Sequence, residues 1–169
     1  AFGLRPRLYE MADRIAAEKG YAVLAVNILY RGGPCPQIDL SGLGDPEKRN
    51  EIFGKIMPLI EQLDATTVAA DTQSYLDYLA GLPEIDSSRV VVIGYCMGGT
   101  NALRAIEAHP GRIKAVATFH AGNVVTDAPD SPHLSVGNIT GEAYFAHADQ
   151  DHGMTAEHIK TLEAALDEA

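Results

Sequence analysis

Cys96 is the residue of this sequence best placed to do covalent chemistry, because of what surrounds it. An apolar run, residues 90–93, leads into it, a helix-forming stretch follows it, and Gly94 and Gly98 lie two residues away on either side. A strand, a tight turn and a helix with the nucleophile at the apex form a nucleophile elbow, here with Cys in the Ser position. Because the turn is sharp, we expect any side chain at Gly94 or Gly98 to collide with neighbouring backbone.

The elbow would give the Cys96 thiol two advantages. It would raise the sulfur above the edge of a sheet, and it would set the backbone N–H of Met97 at a helix N-terminus. The partial positive charge there favours a thiolate, and it favours the negative oxygen that develops when a carbonyl is attacked. The alternative is a glycine-rich turn in which the cysteine is buried as a small hydrophobic residue.

The composition bounds the partners and the setting of the protein. The 169 residues suffice for one domain with a hydrophobic core, and the net charge of −10 argues against nucleic acid and anionic membranes as partners. Cys35 and Cys96 have the spacing of neither a disulfide framework nor a metal site, which favours a reducing compartment. No apolar run approaches membrane-spanning length, so we expect a cytoplasmic protein.

Apolar runs alternate with helical patterns, which predicts an α/β fold with a mostly parallel sheet and helices on both of its faces. The predicted strands are residues 21–26, 89–93, 113–119 and 142–146. The predicted helices run from Pro6 to Gly20, from Pro46 with an interruption near Gly54 and Pro58, from Asp64 to Gly81, from the elbow to about His109, and from about Thr155 to Asp167. We expect a single domain over residues 1–169, truncated at both ends, because the chain starts without Met or a leading strand.

A nucleophilic cysteine needs a base to take its proton and an acid to orient that base. Asp149 and Asp151 follow the strand at residues 142–146, on the loop where such an acid belongs, and their spacing leaves the choice between them open. His120 ends the strand next to the elbow strand, so we expect it to line the pocket. The other histidines lie at turns, at a helix end or on the final helix and lack the chain position of a triad base: His109, His133, His147, His152 and His158.

Two segments together resemble the dienelactone hydrolase family. They are residues 94–99, Gly-Tyr-Cys-Met-Gly-Gly, and residues 148–152, Ala-Asp-Gln-Asp-His, with the helix after them. Residues 2–4 and 29–31 are similar to family segments too, so the likeness covers nearly the whole chain. The resemblance implies hydrolysis of carboxylic ester or lactone bonds, with Cys96 as the nucleophile and Asp151 as the acid of a Cys-His-Asp triad. It implies neither a metal nor an organic cofactor.

The same resemblance implies how a small-molecule ester or lactone would be held. Arg31 matches the family arginine that helps to bind the substrate carboxylate, which a guanidinium can meet with two parallel N–H donors. The backbone N–H groups of Met97 and Ala1 would form the oxyanion hole. We expect Tyr95 and His120 to contact the substrate as well.

The sequence departs from the family pattern in two places. The family histidine follows one further strand beyond the last helix, whereas this chain ends at Ala169, and an acidic residue of the family would precede Ala1. We therefore expect the chain to hold two of the three triad members and to be inactive alone. Missing strands would leave an unpaired sheet edge, so we also expect self-association into homo-oligomers.

Two other functions remain open. A glutamine amidotransferase-like enzyme also uses a cysteine elbow on an α/β sheet, but it needs a His-x-Glu pair late in the chain, and this sequence has none. A non-catalytic α/β module could keep the elbow for packing alone. A Cys96 thiol no more reactive than free cysteine would favour that third interpretation.

Overall fold

A computed structural model describes residues 3–36 and 39–169, which fall into two compact units, Ala1–Gln62 and Leu63–Ala169. The first unit holds helices α1 (Pro6–Lys19) and α2 (Pro46–Ile60) and a short helical turn at Tyr30–Gly32. The second holds α3 (Ala65–Ala80), β1 (Val90–Tyr95), α4 (Met97–Ala108), β2 (Ile113–Phe119), β3 (Glu142–Ala146) and α5 (Ala156–Asp167). Ala1, which the resemblance assigns to the oxyanion hole, lies outside the described residues.

Several helices begin and end where the sequence predicts. Asp45 caps α2 by accepting from the backbone N–H of Glu47 at 2.9 Å. Asp64 caps α3 by accepting from the N–H of Thr67 at 2.7 Å, and this bond holds the pKa of Asp64 below its usual range. Gly20 ends α1 at φ +69°, a conformation that favours glycine. Among the described helices, none has the length and apolar composition needed to cross a lipid bilayer.

Helix α2 contradicts the predicted interruption, since it runs unbroken through Gly54 and Pro58. Pro58 lies in the last turn, where its missing N–H removes one hydrogen bond and leaves the rest of the helix intact. Gly weakens a helix interior by about 1 kcal/mol relative to Ala, which is too little to end it. Local propensity therefore underestimated the length of this helix.

The predicted strand at residues 21–26 is wrong, because this segment pairs with none of the described strands. Its apolar side chains are largely accessible, with Tyr21 exposed by 61% and Val23 by 41%. A β-strand exists only when its backbone N–H and C=O groups meet those of a neighbour. An apolar run predicts burial, but it cannot show that such a neighbour is present.

The sheet of the second unit is three-stranded and parallel, in the order β1-β2-β3. Tyr95 pairs with Phe119, and Phe119 pairs with Ala146, so the three strands end at the same level. This arrangement of helices and parallel strands confirms the predicted α/β class. Open α/β sheets bind ligands beyond the carboxyl ends of their strands, so this edge is where a site is expected.

Helix α4 packs on one face of the sheet. Leu103 and Ile106 of this helix, together with Ile113 of β2, are inaccessible to solvent and lie at the centre of the hydrophobic core. Burial of each such side chain stabilises the fold by about 1.5–3 kcal/mol. The other face carries exposed side chains, among them Val91 at 50% and Tyr144 at 59%, so the prediction of helices on both faces holds for one face of the described sheet.

Candidate active site

Cys96 lies at the turn between β1 and α4, in the strained conformation that an elbow requires. Its backbone has φ +55° and ψ −129°. Such a sparsely populated conformation costs a non-glycine residue about 1–3 kcal/mol. The side chain is exposed, which contradicts the alternative of a buried, packing cysteine. A strained turn that presents a thiol to solvent is suited to attack on a bound carbonyl group.

Two glycines near Cys96 are required by close backbone contacts, but they are not both the ones predicted. A Cβ atom on Gly94 would collide with the carbonyl group of Gly98. A Cβ atom on Gly99 would lie 2.7 Å from the Cβ atom of Ala121. At Gly98 nothing stands within 4 Å of the Cβ position, so the predicted collision there is wrong. Gly98 instead supplies the backbone that a side chain at position 94 would meet.

Gly94→Ala is expected to disrupt the elbow, whereas Gly98→Ala is expected to be tolerated. The methyl group at position 94 would overlap a backbone carbonyl that cannot rotate away, at a cost of about 4 kcal/mol or more. Ala at position 98 would enter open space within a helix and stabilise it by up to about 1 kcal/mol. Thermal unfolding of both variants measures the difference, and equal melting temperatures would contradict the described turn.

Met97 is the first residue of α4, a position that suits its backbone N–H to oxyanion binding. The first N–H groups of a helix have no acceptor within its regular ladder, and the helix dipole adds partial positive charge there. The carbonyl of Cys96 accepts from the N–H of Gly99 at 2.8 Å, which closes the first turn around this position. The geometry is therefore compatible with Met97 as a donor to an oxyanion.

The strand ends bring Cys96, His120 and the loop after β3 to one edge of the sheet. The N–H of Cys96 donates to the carbonyl of Phe119 at 2.9 Å, and the N–H of His120 donates to that of Ala146 at 2.7 Å. His120 therefore lies between the elbow and the loop that carries Asp151. It is exposed and adopts φ +41°, which makes it a second strained residue at this edge.

Asp151 and Asp149, which their spacing could not separate, differ in their surroundings. Asp151 is half-buried, and its Oδ1 accepts from the N–H of Gly153 at 2.8 Å. This bond orients the carboxylate, and the second oxygen, Oδ2, can accept from a base. Asp149 is exposed. A triad acid has to be held in place to orient its partner, so these surroundings favour Asp151.

His109 and His133, two of the remaining histidines, have hydrogen-bond partners. Nε2 of His109 lies 2.8 Å from the carbonyl oxygen of Ala69, so it connects the end of α4 to α3. Nδ1 of His133 lies 2.8 Å from Oγ of Ser131. Side chains with such partners stabilise the local structure.

The other two predicted substrate contacts, Tyr95 and Arg31, each have an aromatic neighbour. Tyr95 stacks on Phe119 with 5.0 Å between ring centres, on the exposed face of the sheet. Arg31 belongs to the first unit, where its guanidinium lies 4.5 Å from the centre of the Tyr30 ring. The sheet edge thus holds Cys96, Met97, Asp151 and His120, whereas Arg31 is described in the other unit.

Thr100, Asn123 and Gly153 also meet at this edge, and none of them was predicted from the sequence. Oγ1 of Thr100 donates to the carbonyl of Gly122 at 2.6 Å, and the N–H of Asn123 donates to that of Gly153 at 3.1 Å. Asn123 has φ +58°, so the non-glycine residues with positive φ in the described ranges all lie at this edge. Strain of this kind concentrates at functional sites. The signal in the sequence was a glycine in each loop, Gly122 after β2 and Gly153 after β3.

Glu107, on the elbow helix α4, is a buried acid away from the sheet edge. The residue is 6% exposed, and its Oε1 has no hydrogen-bond partner among the described residues. Burial raises the pKa of Glu107 to about 8, and the positive charge of Arg104 opposes this rise only in part. Arg104 itself donates to the carbonyl of Leu63 at 2.7 Å and to Asp130 at 3.1 Å. Glu107 is therefore mostly protonated in the folded protein at neutral pH.

The free energy of unfolding of the wild-type protein is expected to fall as the pH rises, and Glu107→Gln is expected to abolish the part of this fall that comes from Glu107. Between the ordinary pKa of 4.5 and the folded-state pKa of about 8, unfolding releases the Glu107 proton, so the free energy of unfolding falls with pH. Gln has no proton to release, so the variant should be more stable than wild type near pH 8 by roughly a few kcal/mol. Urea unfolding across this pH range measures the slope.

Glu163, an exposed residue of α5, provides the control for this experiment. Glu163→Gln changes the same chemical group without relieving a buried acid, so it should keep the wild-type dependence of stability on pH. A Glu107→Gln variant with the wild-type slope would show that the buried carboxyl is not its source.

Comparison with known proteins agrees with the fold. The whole chain, residues 1–169, matches the profile of the dienelactone hydrolase family. A Synechocystis protein provisionally named carboxymethylenebutenolidase is 24% identical over 168 residues, which are 98% of this chain. The carboxymethylenebutenolidase of Rhodococcus opacus is 25% identical over 166 residues, again 98% of this chain.

The solved structure of m3DLH has a TM-score of 0.72 to this chain at 26% identity and covers 99% of it, which confirms the predicted α/β-hydrolase-like fold. This chain spans 64% of the Synechocystis protein, 59% of the Rhodococcus enzyme and 61% of m3DLH. A family profile matched over every residue, on a parallel sheet with a cysteine elbow, shows that the chain belongs to the dienelactone hydrolase family.

Proposed function

We propose that this protein hydrolyses carboxylic ester or lactone bonds through a thioester formed on Cys96. The observation that carries the proposal is the exposed thiol at a strained elbow, directly before the N-terminus of α4. Membership of the dienelactone hydrolase family supports hydrolysis as the reaction, and the curated relatives carry the name carboxymethylenebutenolidase. Since the chain spans less than two thirds of those relatives, the activity of the whole protein belongs to the proposal.

In the first half of the reaction the Cys96 sulfur attacks the carbonyl carbon of the bound ester. A carbon–sulfur bond forms while the carbonyl electron pair moves to oxygen, and the N–H of Met97 donates to that oxyanion. When the carbonyl reforms, the carbon–oxygen bond to the leaving group breaks, and the base returns the thiol proton to the departing alkoxide. A lactone opens in the same step, so its alcohol stays attached to the acyl group.

In the second half water attacks the thioester. The base takes a proton from the water as its oxygen bonds to the carbonyl carbon; the carbon–sulfur bond then breaks, the acid product leaves, and the base returns the proton to the Cys96 sulfur. Asp151 accepts from the base and holds it toward the sulfur. The resemblance puts this base, a histidine, beyond Ala169, and the proposal keeps that assignment. Neither half of the reaction calls for a metal or an organic cofactor.

Three side chains complete the proposed substrate contacts. Arg31 would pair with a carboxylate on the substrate, because a guanidinium offers two parallel N–H donors to two oxygens. Tyr95 and His120 would contact the rest of the molecule, since each is exposed and lies near the end of its strand. The proposal also includes a reducing compartment such as the cytoplasm, because Cys96 acts only as a free thiol.

The test is to trap the proposed thioester in the full-length protein. Brief incubation with p-nitrophenyl acetate, followed by acid quench and peptide mass spectrometry, should find one acetyl group on the peptide that contains Cys96. p-Nitrophenol should be released faster than free cysteine releases it at the same pH. The peptide that contains Cys35 should stay unmodified over the same time.

The competing functions predict different results, one in this experiment and one in an assay with glutamine. In a non-catalytic module, p-nitrophenyl acetate would acetylate Cys96 no faster than it acetylates free cysteine, and that outcome would overturn the proposal. A glutamine amidotransferase would release ammonia from glutamine, which the proposed hydrolase would leave intact. The family match favours the ester hydrolase over both.

A further inference from the structure

Thr100 is a buried polar residue in the first turn of α4, four residues after the nucleophile, and its hydroxyl leaves the helix for another loop. Oγ1 donates to the carbonyl of Gly122, in the loop after β2, at 2.6 Å. The residue is largely buried, so water does not compete for this bond. A threonine inside a helix commonly bonds to its own helix, and here it bonds to a segment 22 residues away.

The loop that Thr100 holds is in turn bonded to the loop that carries the acid. The N–H of Asn123 donates to the carbonyl of Gly153 at 3.1 Å, and the N–H of Gly153 donates to Asp151 at 2.8 Å. A path of three hydrogen bonds, joined by the Gly122–Asn123 peptide and by the backbone of Gly153, therefore runs from the elbow helix to the Asp151 carboxylate.

Close backbone approaches follow the same path. A Cβ atom on Gly99 would lie 2.7 Å from that of Ala121, so the elbow helix and the β2 loop touch directly. A Cβ atom on Gly153 would lie 3.1 Å from Cα of Gly122 and 3.3 Å from Oδ1 of Asp151. These approaches pack the elbow helix, the loop after β2 and the loop after β3 against one another, so a shift of one presses on the next.

We propose that Thr100 is a positioning residue that fixes the acid loop relative to the nucleophile elbow. It acts through Gly122, Asn123 and Gly153 on the Asp151 carboxylate and touches neither substrate nor reacting atoms. The inference rests on the proposed function, because it names the device that keeps the acid and the nucleophile in register. In hydrolases a displacement of about 1 Å can cost about 100-fold in rate, so a fixed distance between these groups matters.

Three variants of the full-length protein test the role of Thr100. Thr100→Val removes the hydroxyl while keeping the shape of the side chain, and it should lower kcat on p-nitrophenyl acetate by about 10-fold with little change in KM. Thr100→Ser keeps the hydroxyl and should restore kcat to within about twofold of wild type. Thr72→Val, a buried threonine of α3, is the matched control and should keep wild-type kcat.

A readout that does not depend on turnover keeps the proposal separate from the proposed function. Hydrogen–deuterium exchange at the N–H groups of Asn123 and Gly153 should speed up by at least about 10-fold in Thr100→Val and return toward wild type in Thr100→Ser. Unchanged exchange in Thr100→Val would overturn the inference, even where Cys96→Ala abolishes hydrolysis. If exchange is faster in Thr100→Val but the wild-type protein hydrolyses no ester, the proposed function is wrong. The connection then has only a structural role, and the role of Thr100 in positioning for catalysis is wrong as well.

Gly153→Ala covers the case in which Thr100→Val fails to fold. Its methyl group would press on Gly122 and on the Asp151 carboxylate, so it displaces the acid loop without touching the elbow. It should lower kcat by about 10-fold. The rate at which iodoacetamide alkylates Cys96 in the unliganded protein should stay close to the wild-type rate. Wild-type kcat in a folded Gly153→Ala protein would overturn the inference.

Discussion

Replacing Cys96 by Ala is expected to lower kcat for ester hydrolysis in the full-length protein by about 1000-fold or more. Alanine has no atom that can bond to the carbonyl carbon, so only direct attack by water remains. Cys96→Ser should also lose most activity, because a serine hydroxyl is a weaker nucleophile beside the same base. The bond from position 96 to the carbonyl of Phe119 uses the backbone N–H, so both variants should fold normally. Initial rates on p-nitrophenyl acetate measure the effect.

Cys35 provides the matched control for this prediction. Its sulfur accepts from the N–H of Leu4 at 3.3 Å, within the first unit. Cys35→Ala removes a thiol of the same type and should keep kcat within about twofold of wild type. A Cys96→Ala protein that turns over ester as fast as wild type would refute the assignment of the nucleophile.

Features set by a few neighbouring residues could be predicted from the sequence. The caps at Asp45 and Asp64 and the helix end at Gly20 each depend on local backbone chemistry, and the structure has all three. The strand at residues 142–146 and the one at 113–119 were predicted with the boundaries observed, because each apolar run ends at clear turn residues. The elbow was predictable for the same reason, since its residues lie within one short segment.

Features that depend on how the backbone packs in three dimensions could not be predicted in this way. The apolar run at residues 21–26 has the pattern of a strand, but strand formation needs a partner that the pattern does not specify. The collision that requires Gly94 involves the backbone of Gly98, so only coordinates could show which glycine is indispensable. Asp149 and Asp151 follow the same strand on one loop, so their positions in the sequence fit the role of the acid equally well. They differ in burial and in the bond from the N–H of Gly153, which only Asp151 accepts in the described loop.

Asp151→Asn is the second large effect expected, a fall in kcat of about 100-fold to 10,000-fold. The amide oxygen can still accept from the N–H of Gly153, so the loop should keep its conformation and the melting temperature should change little. What is lost is the negative charge that orients the base and stabilises its protonated form. Transfer of the thiol proton therefore becomes unfavourable although every group stays in place. Steady-state rates and thermal unfolding of the same preparation measure both effects.

Asp149→Asn separates charge at the site from charge in the loop as a whole. Both substitutions remove one negative charge from the same loop, so a general electrostatic effect on substrate binding would appear in both variants and would depend on salt. A triad acid acts through one oriented carboxylate, so Asp149→Asn should keep kcat within about threefold of wild type while Asp151→Asn does not. The reverse pattern would assign the acid to Asp149. It would also mean that the bond from Gly153 holds Asp151 for the loop alone, since an acid fixed in place but without effect on kcat has only a structural role.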